Sequence, residues 1–229
     1  MTRLVKFTPG EYFHVYNRGT NKMEIFNTDS DYFRFQNLLY LVNSKQTLKY
    51  SDIKTKERSQ ATHLMWTHDR GETLVDIGAY CLMPNHFHLL IKSKNEKDTS
   101  TFLQRLLTSH SKYFNVKNDR TGSLFQGKSK TKHISGDNYL KYLFSYIHLN
   151  PIKLIQRNWK ESGMINIENT KNYLKGYKYS SYLDYLIGSG RKENSILNKS
   201  VFPNYFSTPY LFEKEIFDWL QLQNSENNN

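Results

Sequence analysis

The chain has 229 residues and a formal net charge of +11 at pH 7, because 32 Lys and Arg residues outnumber 21 Asp and Glu residues. Aromatic residues make up 15% of the sequence, which is typical of a packed protein rather than a disordered one. One cysteine excludes a disulfide framework, and no secretory signal or membrane-spanning run is evident, so we expect a cytoplasmic protein. The positive charge favours a polyanionic partner, most simply nucleic acid, over a surface that is basic only for solubility.

The first predicted elements are a strand and a helix. Aromatic and β-branched residues predict a strand over residues 11–17, and apolar residues at helical spacing behind Thr28 and Asp31 predict a helix over 29–43. Residues 44–72 are polar and irregular, and we interpret them as an insert in a loop.

A predicted hairpin follows the insert. Two apolar runs, 74–83 and 86–91, are separated only by Pro84 and Asn85, as in an antiparallel hairpin with a tight turn. An apolar stripe then predicts a second helix over 99–116.

A fourth strand is predicted within residues 123–134, where Lys128, Lys130 and Lys132 alternate and would share one face. The resulting order, β-α-β-β-α-β, is that of the split βαβ or ferredoxin-like arrangement. We therefore expect an α+β fold with an antiparallel sheet, helices on one face, and the other face free to carry a site.

A third helix is predicted over 137–149, because Asp137 favours a helix start and Pro151 favours its end. We divide the chain into a domain over residues 1–158 and a C-terminal extension over 159–229. The extension is predicted to be partly helical, with a short helix within 173–186, a terminal helix over 211–222 and a disordered tail over 224–229.

The hairpin contains a candidate metal site. On a strand, His86 and His88 project to the same face while Phe87 points into the core. Two adjacent imidazoles can hold a divalent metal. The alternative is that both are ordinary polar residues on a half-exposed strand.

The third helix contains a candidate nucleophile. At 100° per residue, Tyr142, Tyr146 and Asn150 lie side by side next to the apolar stripe. A tyrosine can act as a covalent nucleophile when a metal activates its electrophile. The alternative is that these tyrosines only pack, with their hydroxyl groups in water.

These motifs are similar to those of a known family. The run 79–91 resembles the histidine–hydrophobic–histidine (HUH) strand of single-tyrosine, IS200-like transposases. Residues 124–128 followed by 146–153 resemble the REP-associated tyrosine transposase branch, and 12–19 and 179–182 also fit that branch.

The resemblance implies a metal-dependent DNA transposase that cleaves and rejoins single-stranded or hairpin DNA through a 5′-phosphotyrosine. It implies that His86 and His88 bind Mg²⁺ or Mn²⁺ and that Tyr146 is the nucleophile. Asn150 would complete the metal site, where other branches of the superfamily have a glutamine.

The resemblance also implies a DNA interface, in which unpaired bases stack on aromatic side chains and basic side chains contact phosphates. Each basic candidate has the alternative of a solvated surface residue. The candidates are Arg18, Arg105, Lys112, Lys128, Lys130 and Lys132.

Two other functions stay open at this point. One is a domesticated protein that binds DNA without cutting it. The other is a zinc hydrolase that uses His86, His88 and a third histidine such as His133 or His148. A nucleoid-associated location follows from a DNA substrate, and both a monomer and a homodimer are compatible with the sequence.

Overall fold

The computed structural model of the protein describes residues 5–46, 66, 68–159 and 166–226. Four strands and three helices form its central part. They are β1 (Tyr12–Arg18), α1 (Asp29–Leu41), β2 (Val75–Met83), β3 (His86–Ser93), α2 (Glu96–Lys117), β4 (Lys130–Ile134) and α3 (Asp137–Leu149). The C-terminal extension adds α4 (Ile167–Gly176), α5 (Tyr182–Ile187) and α6 (Pro209–Glu226).

The four strands form one antiparallel sheet in the order β2-β3-β1-β4. β1 lies between β3 and β4, and β2 pairs with β3 through the turn at Pro84 and Asn85. This order and the β-α-β-β-α-β succession confirm the expected ferredoxin-like, α+β fold.

The two crossover helices cover one face of the sheet. The main core contains Phe13 of β1, Phe87 of β3, Phe35 of α1 and Phe102 of α2, all fully buried. The two helices are also joined by an ion pair, because Lys117 of α2 contacts Asp31 of α1 at 2.6 Å.

Local capping sets where these helices begin. Asp31 accepts a hydrogen bond from the backbone N–H of Thr28 at 2.9 Å, as the predicted capping pair requires. α2 begins three residues earlier than predicted, because the Asn95 side chain caps the backbone N–H of Asp98 at 2.8 Å.

α3 lies on the opposite face of the sheet. That face was expected to be free, but the helix covers part of it. A second apolar cluster joins Leu140, Leu143 and Phe144 of α3 to Cys81 of β2 and Leu90 of β3. The helix follows the apolar stripe seen in the sequence, and its burial leaves the tyrosine side of α3 facing the rest of that sheet face.

The fourth strand is shorter than predicted. It starts at Lys130, because Gly127 adopts a positive φ of 74° and turns the chain before pairing with β1 begins. Lys128 therefore precedes the strand instead of sharing a face with Lys130 and Lys132, whereas Phe125 is buried in the main core.

A β-bulge at Gly78 shifts the alternation of β2, so that Ile77 before it and Tyr80 after it both face the main core. Ile77 pairs with Ile91 and Ala79 with Leu90, so Gly78 is an extra residue. A Cβ at Gly78 would lie 2.6 Å from the ring of Phe202, which comes from the extension.

The extension covers the outer edge of β2. The backbone N–H of Leu82 donates to Tyr179 O at 2.9 Å, and that of Ser181 donates to Tyr80 O at 2.9 Å. The motif at 179–182 thus protects an edge strand that would otherwise expose unpaired backbone groups.

The helices of the extension are longer than predicted. Two helices, α4 and α5, replace the single short helix expected within 173–186, and α6 extends beyond 211–222 at both ends. Residues 224–226 of the predicted tail belong to α6, and 227–229 lie outside the described residues.

Most of the predicted insert, residues 47–65 and 67, lies outside the described residues. Its two described ends lie together, since the backbone N–H of Lys45 donates to Glu72 O at 2.8 Å. Arg70 anchors the second end by donating to Ser195 O at 2.8 Å.

Within the described part of the chain, no helix is long and apolar enough to cross a membrane.

We expect Gly78→Ala to lower the free energy of unfolding by ~1–3 kcal/mol, because the new methyl group overlaps the buried ring of Phe202. Urea unfolding measures this. Gly176→Ala is the control, because no described atom lies within 4 Å of its added Cβ, and we expect a change within about 0.5 kcal/mol. Equal stability of the Gly78 variant and the wild type would contradict the bulge packing.

Candidate functional site

A cavity of about 550 Å³ lies between the sheet and the tyrosine side of α3. Side chains from three strands and α3 line it, together with one residue from a loop and one from the 3-10 turn after α3. They are His14, Tyr16, Asn17, Arg18, His86, His88, Gln126, Lys130, Lys132, Tyr139, Tyr142, Leu143, Tyr146 and Lys153.

The structure brings together the two predicted metal ligands and the predicted nucleophile. His86 and His88 face the cavity with ring centroids 5.0 Å apart, while Phe87 is buried in the core on the other face. The ring of Tyr146 lies edge-on to His88, with centroids 5.4 Å apart. All three side chains belong to one chain, so the cavity needs no second copy to contain them.

Asn150, the predicted third ligand, is not brought to this cavity. Its side chain is fully buried at the end of α3, where Nδ2 donates to Tyr146 O at 3.0 Å. Its Oδ1 accepts from Lys153 Nζ at 3.1 Å. Nδ2 therefore caps the end of α3 while Oδ1 is occupied by Lys153, and Asn150 does not line the cavity in the part of the chain that the structure describes.

The sequence analysis missed His14. Its Nε2 lies 2.9 Å from Nδ1 of His88, and the two rings stack with centroids 5.0 Å apart. His14 and Tyr16 repeat on β1 the two-residue spacing of His86 and His88 on β3. Pairing β1 with β3 would have been the signal, because the register places Tyr16 opposite His88.

Burial keeps the imidazoles of the cavity neutral at pH 7. Desolvation, with the charge of Lys132, lowers the pKa of His14 to about 4. Desolvation, with the charges of Arg18 and Lys153, lowers the pKa of His86 to about 4. The pKa of His88 is also well below its usual value, first because of burial and then because of its neighbours.

The cavity is electropositive. Arg18, Lys130, Lys132 and Lys153 line it, and no Asp or Glu does so among the described residues. The Lys153 ammonium group lies 5.3 Å from the centroid of the Tyr146 ring. A site with four cations and no carboxylate is suited to an anion such as a phosphodiester.

Three tyrosines of α3 form a row that leads to the histidines. The ring centroids of Tyr139 and Tyr142 are 5.8 Å apart, and those of Tyr142 and Tyr146 are 6.0 Å apart. Lys132 lies 4.2 Å from the centroid of the Tyr139 ring. Aromatic faces thus alternate with positive charge along one wall of the cavity.

The other predicted DNA contacts lie elsewhere. Arg105 donates to Ser44 O at 2.8 Å and so holds one end of the insert. Lys112 lines a separate groove of about 320 Å³ between α2 and the loop before β4. Lys128 is exposed and lines neither the cavity nor this groove.

The two histidines considered for a zinc hydrolase do not line the cavity with the pair on β3. His133 is exposed on the other face and pairs with Glu11 at 3.0 Å. His148 is fully buried against the extension, with Nε2 2.7 Å from the Ser181 hydroxyl. The third histidine required by that alternative is therefore not supplied by either residue.

The side chains of the cavity show whether it could hold a metal ion. No group of three or more His, Cys, Asp or Glu residues in the described ranges could hold a metal ion alone. However, Nε2 of His88 is buried without a hydrogen-bond partner, and Nδ1 of His86 is engaged by Asn85 Oδ1 at 2.6 Å. The residues fit a metal bound by two imidazoles whose other ligands are water or substrate oxygens.

A family model matches part of the chain. Residues 41–150, just under half of the chain, match the family model described as IS200-like transposase. This segment contains His86, His88, Tyr146 and Asn150, whereas His14 lies outside it. No curated protein matches the chain.

The solved structures similar to this chain include the following two. One is a REP-associated tyrosine transposase bound to a REP hairpin, with 12% identity, a TM-score of 0.47, and coverage of 89% of this chain and 88% of that one. The other is a bacterial tRNA(His) guanylyltransferase-like protein in complex with ATP, with 12% identity, a TM-score of 0.36, and coverage of 75% and 71%.

With EDTA present, we expect the free energy of unfolding to fall by ~2 kcal/mol or more between pH 7 and pH 4.5. The pKa values of His14, His86 and His110 are about 4 in the folded chain and that of His148 is about 3, all below the usual 6.5, so the unfolded chain binds more protons in this window. Asp184, with its pKa raised to about 7, acts in the opposite direction.

Urea unfolding at the two pH values measures this change. His110→Gln, which removes one buried imidazole from the main core, should show a smaller loss between pH 7 and pH 4.5 than the wild type. A wild-type protein that is as stable at pH 4.5 as at pH 7 would contradict the inference that these histidines are neutral when folded.

Proposed function

We propose that the protein is a metal-dependent DNA nickase and strand transferase, and the match of residues 41–150 to the IS200-like transposase model supports this. Its substrate is single-stranded or hairpin DNA, and its reaction passes through a 5′-phosphotyrosine. The observation that carries the proposal is the meeting of Tyr146 with His86 and His88 in one electropositive cavity.

Tyr146 is proposed as the nucleophile. Its phenol oxygen forms a bond to the phosphorus of a phosphodiester, and the bond from that phosphorus to the 3′ oxygen of the preceding nucleotide breaks. The phenol proton is released to solvent, and the leaving 3′ oxygen takes up a proton to become a 3′-hydroxyl. The reverse reaction with another 3′-hydroxyl rejoins DNA, and it needs no ATP because the phosphotyrosine keeps the energy of the broken ester.

His86 and His88 are proposed to hold a divalent metal through their unprotonated Nε2 atoms. When bound, Mg²⁺ or Mn²⁺ would neutralise the phosphate and orient it for in-line attack. Two imidazoles without a carboxylate suit Mn²⁺ better than Mg²⁺, which prefers oxygen ligands. Asn150 is not proposed as a ligand, because its Nδ2 donates to Tyr146 O and its Oδ1 accepts from Lys153.

The Lys153 ammonium group lies beside Tyr146, 5.3 Å from the centroid of its ring, where a positive charge attracts a phosphate. Asn150 positions this ammonium group by accepting its hydrogen bond at 3.1 Å. The end of α3 thereby connects the nucleophile and its cation through one amide side chain.

The row of Tyr139 and Tyr142 is proposed to stack unpaired bases, while Lys130 and Lys132 contact the phosphates beside them. Stacking on aromatic side chains requires bases that are not paired, which supports a single-stranded or unpaired segment in this cavity. We expect the protein to encounter such DNA at the nucleoid.

The second candidate function is binding of DNA without cleavage. The same cationic cavity would support it, since the basic and aromatic residues do not depend on Tyr146. The two functions differ in one measurable product, which is a covalent adduct between protein and DNA.

We expect Tyr146→Phe to abolish this adduct, because the variant lacks the attacking oxygen, and to change the Kd for DNA by less than about threefold. The measurement is a denaturing gel with single-stranded hairpin DNA labelled at either end, with Mn²⁺ or Mg²⁺ and with EDTA. Tyr142→Phe is the matched control on the same helix, and it should retain the adduct.

Three outcomes of this experiment distinguish the candidates. A metal-dependent adduct that is lost only in Tyr146→Phe supports cleavage by this residue. An adduct that survives in Tyr146→Phe but not in Tyr142→Phe would make Tyr142 the nucleophile. Binding without an adduct under every condition would favour the non-catalytic protein.

The salt dependence of DNA binding tests the proposed phosphate contacts. Lys130→Gln and Lys132→Gln should each reduce the slope of log Kd against log salt concentration by about 1, because each removes one phosphate contact. Lys97→Gln, an equal charge change at the exposed start of α2, should leave the slope unchanged. Equal slopes in all three variants would contradict a phosphate path along β4.

A further inference from the structure

His14 contacts His88, one of the proposed metal ligands, from the neighbouring strand. Its side chain is 7% exposed and that of His88 is 5% exposed, and their facing nitrogens, Nε2 and Nδ1, are 2.9 Å apart. β1 and β3 are adjacent in the centre of the sheet, so this contact is built into the backbone pairing.

The hydrogen bond between these two rings has two arrangements. A neutral imidazole has one protonated nitrogen and one lone pair, so one ring must donate and the other accept. If His88 Nδ1–H donates to His14 Nε2, then Nε2 of His88 carries a lone pair. If His14 donates instead, Nε2 of His88 carries a proton.

The surroundings of His88 Nε2 favour the first arrangement. This atom is buried and has no hydrogen-bond partner among the described residues. A proton there would be an N–H group without an acceptor, whereas a lone pair there can be completed by a metal ion. His86 has the same pattern, since Asn85 Oδ1 at 2.6 Å can accept from its Nδ1 and leave its Nε2 as the lone pair.

We propose that His14 is a positioning residue that accepts the Nδ1–H of His88 and thereby presents Nε2 of His88 as an unprotonated ligand to a divalent metal. The inference rests on the proposed function in that it takes the metal from there. His14 is not itself a ligand in this arrangement, because the nitrogen that faces His88 is used by the hydrogen bond.

Binding of Mn²⁺ to the full-length protein, without DNA, tests the metal side of the proposal. The variants are His14→Phe, which fills the space without an acceptor, and His14→Gln, whose amide oxygen reaches the position of Nε2. His133→Phe is the control, because it removes an exposed histidine on the other face. Electron paramagnetic resonance of free Mn²⁺ gives the Kd, and thermal denaturation shows that each variant is folded.

We expect His14→Phe to weaken Mn²⁺ binding by about 10- to 100-fold, as for other residues that orient a ligating histidine. His14→Gln and His133→Phe should remain within about threefold of the wild type. Unchanged affinity in His14→Phe would overturn the proposal. Equal losses in His14→Phe and His14→Gln would also overturn it, because the acceptor would then not matter.

The tautomer of His88 tests the proposal without any metal. In EDTA, ¹⁵N spectra of the wild-type side chains should show His88 protonated at Nδ1, with the signal identified by its loss in His88→Gln. Protonation at Nε2 overturns the proposal even if Mn²⁺ binds. Conversely, a wild type that does not bind Mn²⁺ would refute the metal in the proposed function, and the Nδ1–H signal would still decide the role of His14.

Discussion

The pairing of β1 with β3 is the constraint on which the site depends. Side chains alternate between the two faces of a strand, so a shift of one residue would move His14 and Tyr16 from the cavity to the core face. The observed register places Tyr16 opposite His88 and His14 opposite Leu90, which brings His14 beside His88 from the neighbouring strand. The core residues Phe13 and Val15 fix this register, because both are fully buried on the other face.

The second constraint is the placement of α3. Its apolar side is buried against β2 and β3, and the extension closes over it through Phe202 and Phe206, whose rings contact Phe144. Gly78 permits this approach, since any side chain there would meet Phe202. The extension therefore supports the proposed nucleophile indirectly, by holding the helix that carries Tyr146 against the sheet.

The spacing of apolar residues in the sequence predicted the helices and strands that have one apolar face. The hairpin, the three helices and the shared face of His86 and His88 follow from spacing that local sequence contains. His14 and the true surroundings of Asn150 were not predictable in this way, because the first depends on pairing between strands distant in sequence. The second depends on whether Asn150 Oδ1 binds a metal or accepts from Lys153, and local sequence does not decide between these two uses of one oxygen.

The cations of the cavity lower the pKa values of the imidazoles and also attract the proposed phosphate substrate. Lys132 lowers the pKa of His14, and Arg18 and Lys153 lower that of His86, so these charges help keep the imidazole lone pairs free at pH 7. The same charges attract a phosphate and oppose a bare divalent cation. In the proposed function the phosphate supplies the negative charge that the cavity lacks, so DNA and metal each favour binding of the other.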